Sequence, residues 1–500
     1  MSPHTPHYMV IGGGITGLSA AFYLQKRLEA EGAPFRISVV EKSEKLGGKI
    51  HTLERDGFVI EKGPDSFLAR KKPIIDLAYE LGLEGELTAT NPKAKKTFIV
   101  RQGKLHPMPP GLVLGIPTQW TPFMRTGLIS PLGKLRAAMD FVLPKRKEQT
   151  DESLGHFLKR RLGTEVLERV VEPLLAGIYA GDTFKLSLKS TFPQFGAMEQ
   201  KHRSVILGMM ASRKNVPEES AHLPQSVRHS VFVTFKRGLK TIVEGLETAL
   251  REGGAELRTG VGVTRVTAAA GDGSAAAGGP AKVIFEDGHE EVVDGLIVTT
   301  QTYQAAKLLE ELPIAEVLRN IEYISVANVI MAFERKDIPF ELDASGFLVP
   351  RSEGLAITAC TLTSAKWLHT APDGKVVLRC YIGRAGEQEW PSLSDGELVE
   401  LARRDIRKLL GIEASPLFSE VTRLMHSMPQ YPVGHLEKLA DFRAKLSAAM
   451  PRVWVTGAGF HGVGLPDCIR QGKEAANALV DRIGSSAKAN SAKEAVSAGL

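Results

Sequence analysis

Tyr8-Met-Val-Ile11 runs directly into Gly12-Gly-Gly-Ile-Thr-Gly17, and this stretch decides the fold. The apolar residues predict a buried strand, the glycines a tight turn, and the Ala- and Leu-rich residues up to about 30 a helix. A second predicted strand, Arg36–Val40, ends at Glu41, 24 residues after Gly17. Strand, glycine turn, helix, strand and acid together predict a βαβ unit that binds a dinucleotide.

Each glycine of this turn has its own task in such a unit. Gly12 makes the turn, Gly14 lets the backbone approach a pyrophosphate, and Gly17 permits close packing of the helix on the strand. The helix N-terminus offers unpaired N–H groups to the diphosphate, and the Glu41 carboxylate would bind the ribose hydroxyls. A purely structural glycine turn is the alternative. The predicted cofactor contacts here are Gly12, Gly13, Gly14, Ile15, Thr16, Gly17, Glu41 and Lys42.

Further glycine-rich segments favour FAD over a nicotinamide cofactor. Leu46-Gly-Gly-Lys49 and Gly63-Pro-Asp-Ser66 follow the first unit, and Thr456–Asp467 forms a glycine-rich turn before the last predicted helix. An extended dinucleotide needs several backbone segments close to it, and a helix N-terminus aimed at the flavin would stabilise the negative charge of its reduced form. We therefore predict one non-covalent FAD, with further contacts from Gly48, Lys49, Gly63, Pro64, Asp65, Ser66, Val263, Met428, Gly459, Val463, Gly464 and Leu465.

The composition excludes several classes of protein. The 500 residues are 43% hydrophobic and 24% charged, which is typical of a folded protein of several domains. Three distant cysteines fit neither a disulfide framework nor a metal knuckle, so we predict a reducing, cytoplasmic location and no metal site. No secretory signal and no apolar run of about 18 residues is visible, so secretion and membrane spanning are not expected.

The positive charge is concentrated in one part of the chain. The net charge is +6, but residues 93–161 hold 14 Lys/Arg against four acidic residues, a local charge of +10. A solvated helical face, contact with anionic lipid, or steering of an acidic small molecule would each account for it. Nucleic acid is not an expected partner, because no recognised binding motif accompanies the charge and aromatic residues are few.

The quoted motifs together resemble the protoporphyrinogen/coproporphyrinogen oxidase family, a branch of the flavin amine-oxidase-like flavoproteins. The resemblance spans nearly the whole chain and also includes the segments Gly177-Ile-Tyr-Ala-Gly181 and Pro429-Gln-Tyr-x-x-Gly-His435. Gly63-Pro-Asp-Ser-Phe-Leu-x-Arg-Lys-Lys72 is most similar to the soluble coproporphyrinogen III oxidases of Gram-positive bacteria.

The resemblance implies an α/β plus α architecture. It consists of a Rossmann-like FAD domain assembled from discontinuous segments, an inserted substrate domain with an antiparallel sheet, and a helical domain that touches the bilayer in membrane-associated relatives. The predicted boundaries are 1–72, 231–300 and 422–484 for the FAD domain, 73–95, 212–230 and 301–421 for the substrate domain, 96–211 for the helical domain, and 485–500 for a disordered tail.

The resemblance also implies an activity in haem biosynthesis. It is the six-electron oxidation of coproporphyrinogen III to coproporphyrin III in three FAD cycles, with O₂ as acceptor and H₂O₂ as product. Peripheral contact with the inner face of the membrane and handover of the product to the next haem-pathway enzyme are further expectations. No catalytic dyad or triad stands out, which fits a reaction that demands little acid–base chemistry of the protein.

Three residues are predicted to bind substrate. Lys71 follows the Gly63–Ser66 turn and is expected to bind a propionate, although a solvent-facing charge run is the alternative. Ile178 and Tyr381 resemble pocket positions of relatives, against the alternative that they belong to an ordinary core.

Three other functions remain open on sequence grounds. Protoporphyrinogen IX oxidase shares every cofactor motif and differs in a substrate with two propionates rather than four. A flavin amine oxidase would need an aromatic or acidic cage for a cation, and none is identifiable. A non-enzymatic protein on the same βαβ scaffold would lack bound FAD.

Overall fold

The computed structural model describes residues 5–32, 34–214, 223–269 and 279–497. Its centre is a five-stranded parallel sheet in the order β12-β2-β1-β16-β22. The strands come from three distant parts of the chain, so the predicted assembly from discontinuous segments is confirmed. They are β1 (His7–Ile11), β2 (Arg36–Val40), β12 (Glu256–Arg258), β16 (Gly295–Val298) and β22 (Val453–Val455).

The strands of this sheet are buried on both sides because other elements, mostly helices, cover both of its faces. One face packs on α1 (Ile15–Glu31), α2 (Lys72–Glu80), α11 (Lys240–Glu252) and α17 (Leu465–Ser497). The other face packs on α12 (Thr302–Leu308), α13 (Glu316–Arg319), α16 (His435–Ala449) and the small sheet of β13 (Val263–Ala268), β14 (Ala281–Phe285) and β15 (Glu290–Val293).

Two small sheets connect this domain to the rest of the chain. One is the hairpin of β3 (Thr52–Arg55) and β4 (Phe58–Glu61). The other has the order β5-β11-β6, with β5 (Phe67–Leu68), β6 (Leu87–Ala89) and β11 (Phe232–Phe235).

A seven-stranded, mostly antiparallel sheet forms the second layer, in the order β21-β17-β20-β19-β18-β7-β8. One of its faces is covered by α14 (Thr363–Lys366) and α15 (Asp395–Leu410). The strands are β7 (Lys96–Arg101), β8 (Lys104–Pro107), β17 (Tyr323–Glu334), β18 (Ala344–Leu348), β19 (Ile357–Leu362), β20 (Lys375–Ile382) and β21 (Phe418–Pro429).

Three stretches differ from the predicted boundaries. Residues 96–107 were assigned to the helical segment and 422–429 to the FAD domain, but both lie in the seven-stranded sheet. The Val- and Ile-containing β7 and the turn at Gln102-Gly103, where both residues have positive φ, favour a hairpin over a helix. Residues 485–497 continue α17 where a disordered tail was expected, in keeping with their Ala- and Lys-rich composition. Residues 498–500 lie outside the described part of the chain.

A helical layer follows β8 and has its own apolar core. Arg161 is fully buried there and pairs with Asp140 (Nε–Oδ1 2.5 Å) and with Glu199. Of these two acids only Glu199 lies outside residues 93–161, so it offsets one of the ten net positive charges inside the protein. The elements are β9 (Leu112–Val113), β10 (Ile116–Pro117), α3 (Trp120–Arg125), α4 (Pro131–Ala138), α5 (Leu154–Leu162), α6 (Thr164–Val166), α7 (Glu172–Tyr179), α8 (Leu188–Thr191), α9 (Pro193–His202) and α10 (Val205–Lys214).

Candidate cofactor and substrate site

The first glycine turn lies at the carboxyl end of β1, where ligands bind in parallel sheets. A Cβ on Gly17 would lie 1.8 Å from the Gly12 carbonyl oxygen, so only glycine allows α1 to pack this closely on the strand. The Glu41 carboxylate accepts hydrogen bonds from Gly13 N (2.7 Å) and Ser43 N (2.8 Å). The acid is thereby fixed beside the turn, as a ribose-binding role requires.

Two glycine segments meet at the N-terminus of α1. Gly13 O accepts a hydrogen bond from Gly47 N (2.8 Å), and Gly14 forms a β-bridge with Gly47. A Cβ on Gly48 would come within 3.1 Å of the Gly14 Cα, whereas a Cβ on Gly14 would have nothing nearer than 4.0 Å. The two backbones thus form an open cradle next to the free N–H groups of Ile15, Thr16 and Gly17.

Lys49 places a cation next to this cradle. Its Nζ donates to the Ser427 carbonyl, one residue before Met428. A Cβ on Gly63 would lie 1.8 Å from Lys49 O, so the turn of Gly63, Pro64, Asp65 and Ser66 packs against the same segment. Burial lowers the pKa of Lys49 to about 8. Its side chain is half-buried, and among the described residues no carboxylate forms an ion pair with it, so it suits an anionic ligand.

The third glycine turn, residues 456–467, joins β22 to α17 and is held by the Pro429–His435 motif. Tyr431 Oη donates to Ala458 O and accepts from Gly462 N (3.1 Å), and His435 Nε2 lies 3.0 Å from Phe460 O. Burial lowers the pKa of His435 to about 4, so its ring is neutral at pH 7. This motif therefore fixes the turn that carries the predicted contacts Gly459, Val463, Gly464 and Leu465.

Lys71 is tied to the same turn. Its Nζ lies 2.8 Å from the Asp467 Oδ1, and the lysine side chain is 41% exposed. The predicted substrate cation is thus accessible and sits beside the predicted flavin turn, although the two residues are 396 positions apart in the sequence.

The other two predicted substrate residues lie on neighbouring segments. Ile178, at the end of α7, is 36% exposed. The turn after it packs on the loop following β20, since Ala180 O accepts from Ala385 N (2.7 Å). Tyr381, on β20, is half-buried, with its hydroxyl 3.3 Å from Thr361 Oγ1 and the Arg379 guanidinium 5.0 Å from its ring centroid.

Two predicted cofactor contacts lie on the other side of Glu41. The side chain of Lys42 is 76% exposed and pairs with Glu286 (2.7 Å). Val263 begins β13, just after Val261 N donates to Glu41 O (3.0 Å). The backbone just before Val263 therefore lies next to Glu41, whereas the Lys42 ammonium group points to solvent.

The sequence profile of the flavin containing amine oxidoreductase family matches residues 15–480. This is most of the chain and contains all three glycine turns except the start of the first.

The chain belongs to the flavin containing amine oxidoreductases.

Within this family it belongs with the porphyrinogen oxidases. It is 45% identical to the coproporphyrinogen III oxidase of Bacillus subtilis (strain 168), over 95% of this chain and 98% of that protein. It is 39% identical to the coproporphyrinogen III oxidase of Staphylococcus aureus (strain NCTC 8325 / PS 47), over 95% and 99%. Identity to the protoporphyrinogen oxidase of Bos taurus is 31%, over 94% and 97%.

Two solved protein structures have the same fold as this chain. A protein of Exiguobacterium sp. 255-15, provisionally named a protoporphyrinogen oxidase, superposes with a TM-score of 0.82 at 34% identity, over 95% of this chain and 99% of that one. Reduced UDP-galactopyranose mutase gives 0.68 at 15% identity, over 95% and 96%, which is a likeness of fold alone. The predicted fold class is confirmed.

The cofactor of this flavin oxidoreductase is FAD, and the site geometry fits it. The open cradle at Gly14 and Gly48 would hold the diphosphate, Glu41 the ribose, and the turns at Gly63 and Gly459 the flavin. When bound, FAD supplies the two-electron redox chemistry. The protein residues supply the fixed donors and the cation of Lys49.

Four further side chains at this site have no role predicted from the sequence. Asp467 pairs with Lys71, Tyr431 anchors the third turn, Arg379 donates to the Gly63 carbonyl, and Glu61 lies buried below it. Arg379 lies two residues before Tyr381 and so shares its face of β20, which is a detectable signal. Lys71, the partner of Asp467, and Leu239, one partner of Glu61, are too distant in sequence to be predicted.

Proposed function

We propose that this chain oxidises coproporphyrinogen III to coproporphyrin III in haem biosynthesis, with O₂ as acceptor and H₂O₂ as product. The observation that carries the proposal is the position of Lys71, an accessible cation fixed beside the third glycine turn. The substrate has four carboxylates, and a charge-assisted hydrogen bond to one of them would orient the macrocycle. The names of the relatives at 45% and 39% identity support the same substrate.

The protein's task in this reaction is to orient the substrate. Ile178 and Tyr381 would pack on the apolar macrocycle, and Lys71 would hold a propionate after release from Asp467. Arg379 on β20 donates a hydrogen bond to the Gly63 carbonyl and so links the Gly63–Ser66 turn to the substrate sheet.

The substrate choice is tested by Lys71→Ala. We expect the KM for coproporphyrinogen III to rise about tenfold, the equivalent of about 1.4 kcal/mol of lost binding, with a smaller rise for protoporphyrinogen IX. Lys72→Ala, which removes the neighbouring exposed lysine, is the matched control and should change neither KM. Equal effects of Lys71→Ala on both substrates would contradict the proposed role of Lys71.

We further propose that the helical layer makes peripheral contact with an anionic membrane. Leu132, Leu135 and Val142 are 78%, 65% and 64% exposed, and the cations of Arg125, Lys145 and Lys147 flank them. Exposed apolar side chains among basic residues are typical of a helix that lies on a lipid surface. None of the described helices is long and apolar enough to cross a bilayer. A cytoplasmic location and handover of the product to the next haem-pathway enzyme stay predictions.

Flotation with phosphatidylglycerol vesicles tests this contact. Leu132→Glu with Leu135→Glu should abolish binding at low salt, because two carboxylates then replace apolar side chains in the contact. Leu368→Glu is the control, since Leu368 is 71% exposed but lies outside the helical layer. Equal binding of wild type to phosphatidylcholine, or no binding at all, would refute the contact.

A further inference from the structure

A small internal cavity lies behind the Gly63–Ser66 turn, between β4, β11 and β20. Glu61 and Asp65 line it from the FAD domain, and Arg379 lines it from the substrate sheet. The centre of a water molecule can occupy about 20 Å³ of this cavity, so the cavity has room for at least one ordered water.

The walls of this cavity contain four polar atoms without a hydrogen-bond partner among the described residues. They are Thr234 Oγ1, Thr363 Oγ1, Trp367 Nε1 and Arg379 Nε. Thr234, Trp367 and Arg379 are 2%, 1% and 4% exposed. A buried polar group left without a partner costs about 1–3 kcal/mol, so four in one cavity indicate bound water.

Two carboxyl groups at the cavity differ in their preferred charge. Glu61 accepts hydrogen bonds from Leu239 N (2.6 Å) and Thr52 Oγ1 (3.0 Å), and burial raises its pKa to about 7. Burial also acts on Asp65, but Lys366 (3.7 Å) and Arg379 outweigh it and lower its pKa. Asp65 therefore stays ionised at neutral pH, whereas Glu61 can gain or lose a proton there.

The proposed reaction releases a proton in one step and takes up a proton in another. Each two-electron step breaks one C–H bond of the porphyrinogen as hydride and one N–H bond as a proton, and formation of H₂O₂ from O₂ takes up both. The two events are separate, so in the interval the proton either passes to solvent or is held by a group of the protein.

We propose that this cavity is a hydrated proton-storage site, in which water bound to Arg379, Trp367 and Thr363 passes the proton from the Gly63–Ser66 turn to Glu61. An O–H bond forms at the Glu61 carboxylate when the substrate N–H bond breaks, and the same proton returns when H₂O₂ forms. Over one catalytic cycle the protein gains no net charge and no electron. The inference rests on the proposed function.

The charged groups around Glu61 leave it as the titrating group of the cavity. Arg379 faces it from β20 and Asp65 from the turn. His369 is on the cavity wall, but burial lowers its pKa, so its ring is neutral at pH 7. On α11, Lys240 Nζ is paired with Glu54 (2.9 Å).

Infrared spectroscopy of the holoenzyme tests the site without turnover. A band of a protonated carboxyl group should titrate near pH 7 and be lost in Glu61→Gln, in which the side-chain amide oxygen can still accept from Leu239 N and Thr52. Glu54→Gln, on the same hairpin but half exposed, should keep the band. A crystal structure should show water within hydrogen-bond distance of Trp367 Nε1 and Arg379 Nε. An unchanged spectrum in Glu61→Gln, or a dry cavity, would overturn the proposal.

A measurement of proton release distinguishes a proton-storage role of Glu61 from a merely structural role. With a pH-indicator dye at pH 7, anaerobic reduction by coproporphyrinogen III should release more protons from Glu61→Gln than from wild type, by up to about half a proton per flavin, because half of the Glu61 groups are already protonated. Equal release would overturn storage even if the cavity is hydrated. If the porphyrinogen reduces neither enzyme, the proposed function and the storage role fail together, while the infrared titration still decides whether Glu61 titrates.

Discussion

A substitution at Gly14 can test the FAD assignment without disturbing folding. Its backbone is extended with a φ of −74°, and an added Cβ would meet nothing nearer than 4.0 Å. A larger side chain therefore fits the protein itself, yet it would fill the cradle that faces Gly48. Gly17 offers no such separation, because its Cβ would collide with backbone.

Gly14→Val should consequently fold and lose FAD. The purified variant should lack stoichiometric flavin in its absorbance spectrum and melt at the temperature of the wild-type apoprotein. Gly85→Val, at an exposed glycine with equal space around its Cβ, should keep the flavin. Full FAD content in Gly14→Val would rule out the cradle.

How far single residues could be predicted depends on their distance in sequence. The glycines and Glu41 fall within one βαβ unit, so local spacing predicts their arrangement. Lys71 was predicted as a cation at the site, but its partner Asp467 is 396 residues away. The unpartnered wall atoms of the cavity come from three separate parts of the chain, and no local pattern marks them. The roles of all these residues stay predictions.

At the scale of elements, hydrophobic patterning and the glycine turn predicted the first βαβ unit. The strands expected at 8–11 and 36–40 are found at His7–Ile11 and Arg36–Val40. The helix expected up to about residue 30 is found at Ile15–Glu31. The hairpin of β7 and β8 lies in the segment predicted to be helical, and the turn at Gln102-Gly103 is the local signal that favours the hairpin.

The Pro429–His435 segment is the element that positions the third glycine turn. Its Tyr431 hydroxyl bridges two positions of that turn by donating to Ala458 O and accepting from Gly462 N. The tyrosine is fully buried, and its ring stacks on His435 with centroids 4.7 Å apart. Removal of the hydroxyl should therefore loosen the turn without opening the core.

Tyr431→Phe should weaken FAD binding about tenfold, since an unmade buried hydrogen bond costs about 1–3 kcal/mol. The dissociation constant can be measured by the return of flavin fluorescence on dilution. Tyr23→Phe removes a hydroxyl that donates to Glu80 (3.1 Å) in another part of the FAD domain and should leave FAD affinity unchanged. Equal losses in both variants would mean that the effect is one of general stability.

At the scale of the whole molecule, the charge distribution now has a narrower interpretation. Arg161 is neutralised inside the helical layer, and Arg160 pairs with Glu199 (2.6 Å) and Glu152 (2.9 Å). These side chains cannot steer a ligand. Among the exposed cations that remain, Arg125, Lys145 and Lys147 flank the exposed apolar residues of α4 in the sequence, which favours lipid contact over steering for this part of the segment.

The whole account depends on which porphyrinogen reduces the bound flavin. Anaerobic mixing of the purified holoenzyme with coproporphyrinogen III and, in parallel, protoporphyrinogen IX measures this directly by bleaching of the flavin absorbance. We predict faster bleaching by coproporphyrinogen III, because its additional propionates give Lys71 more carboxylates to bind. Faster bleaching by protoporphyrinogen IX, or no bleaching by either, would contradict the account.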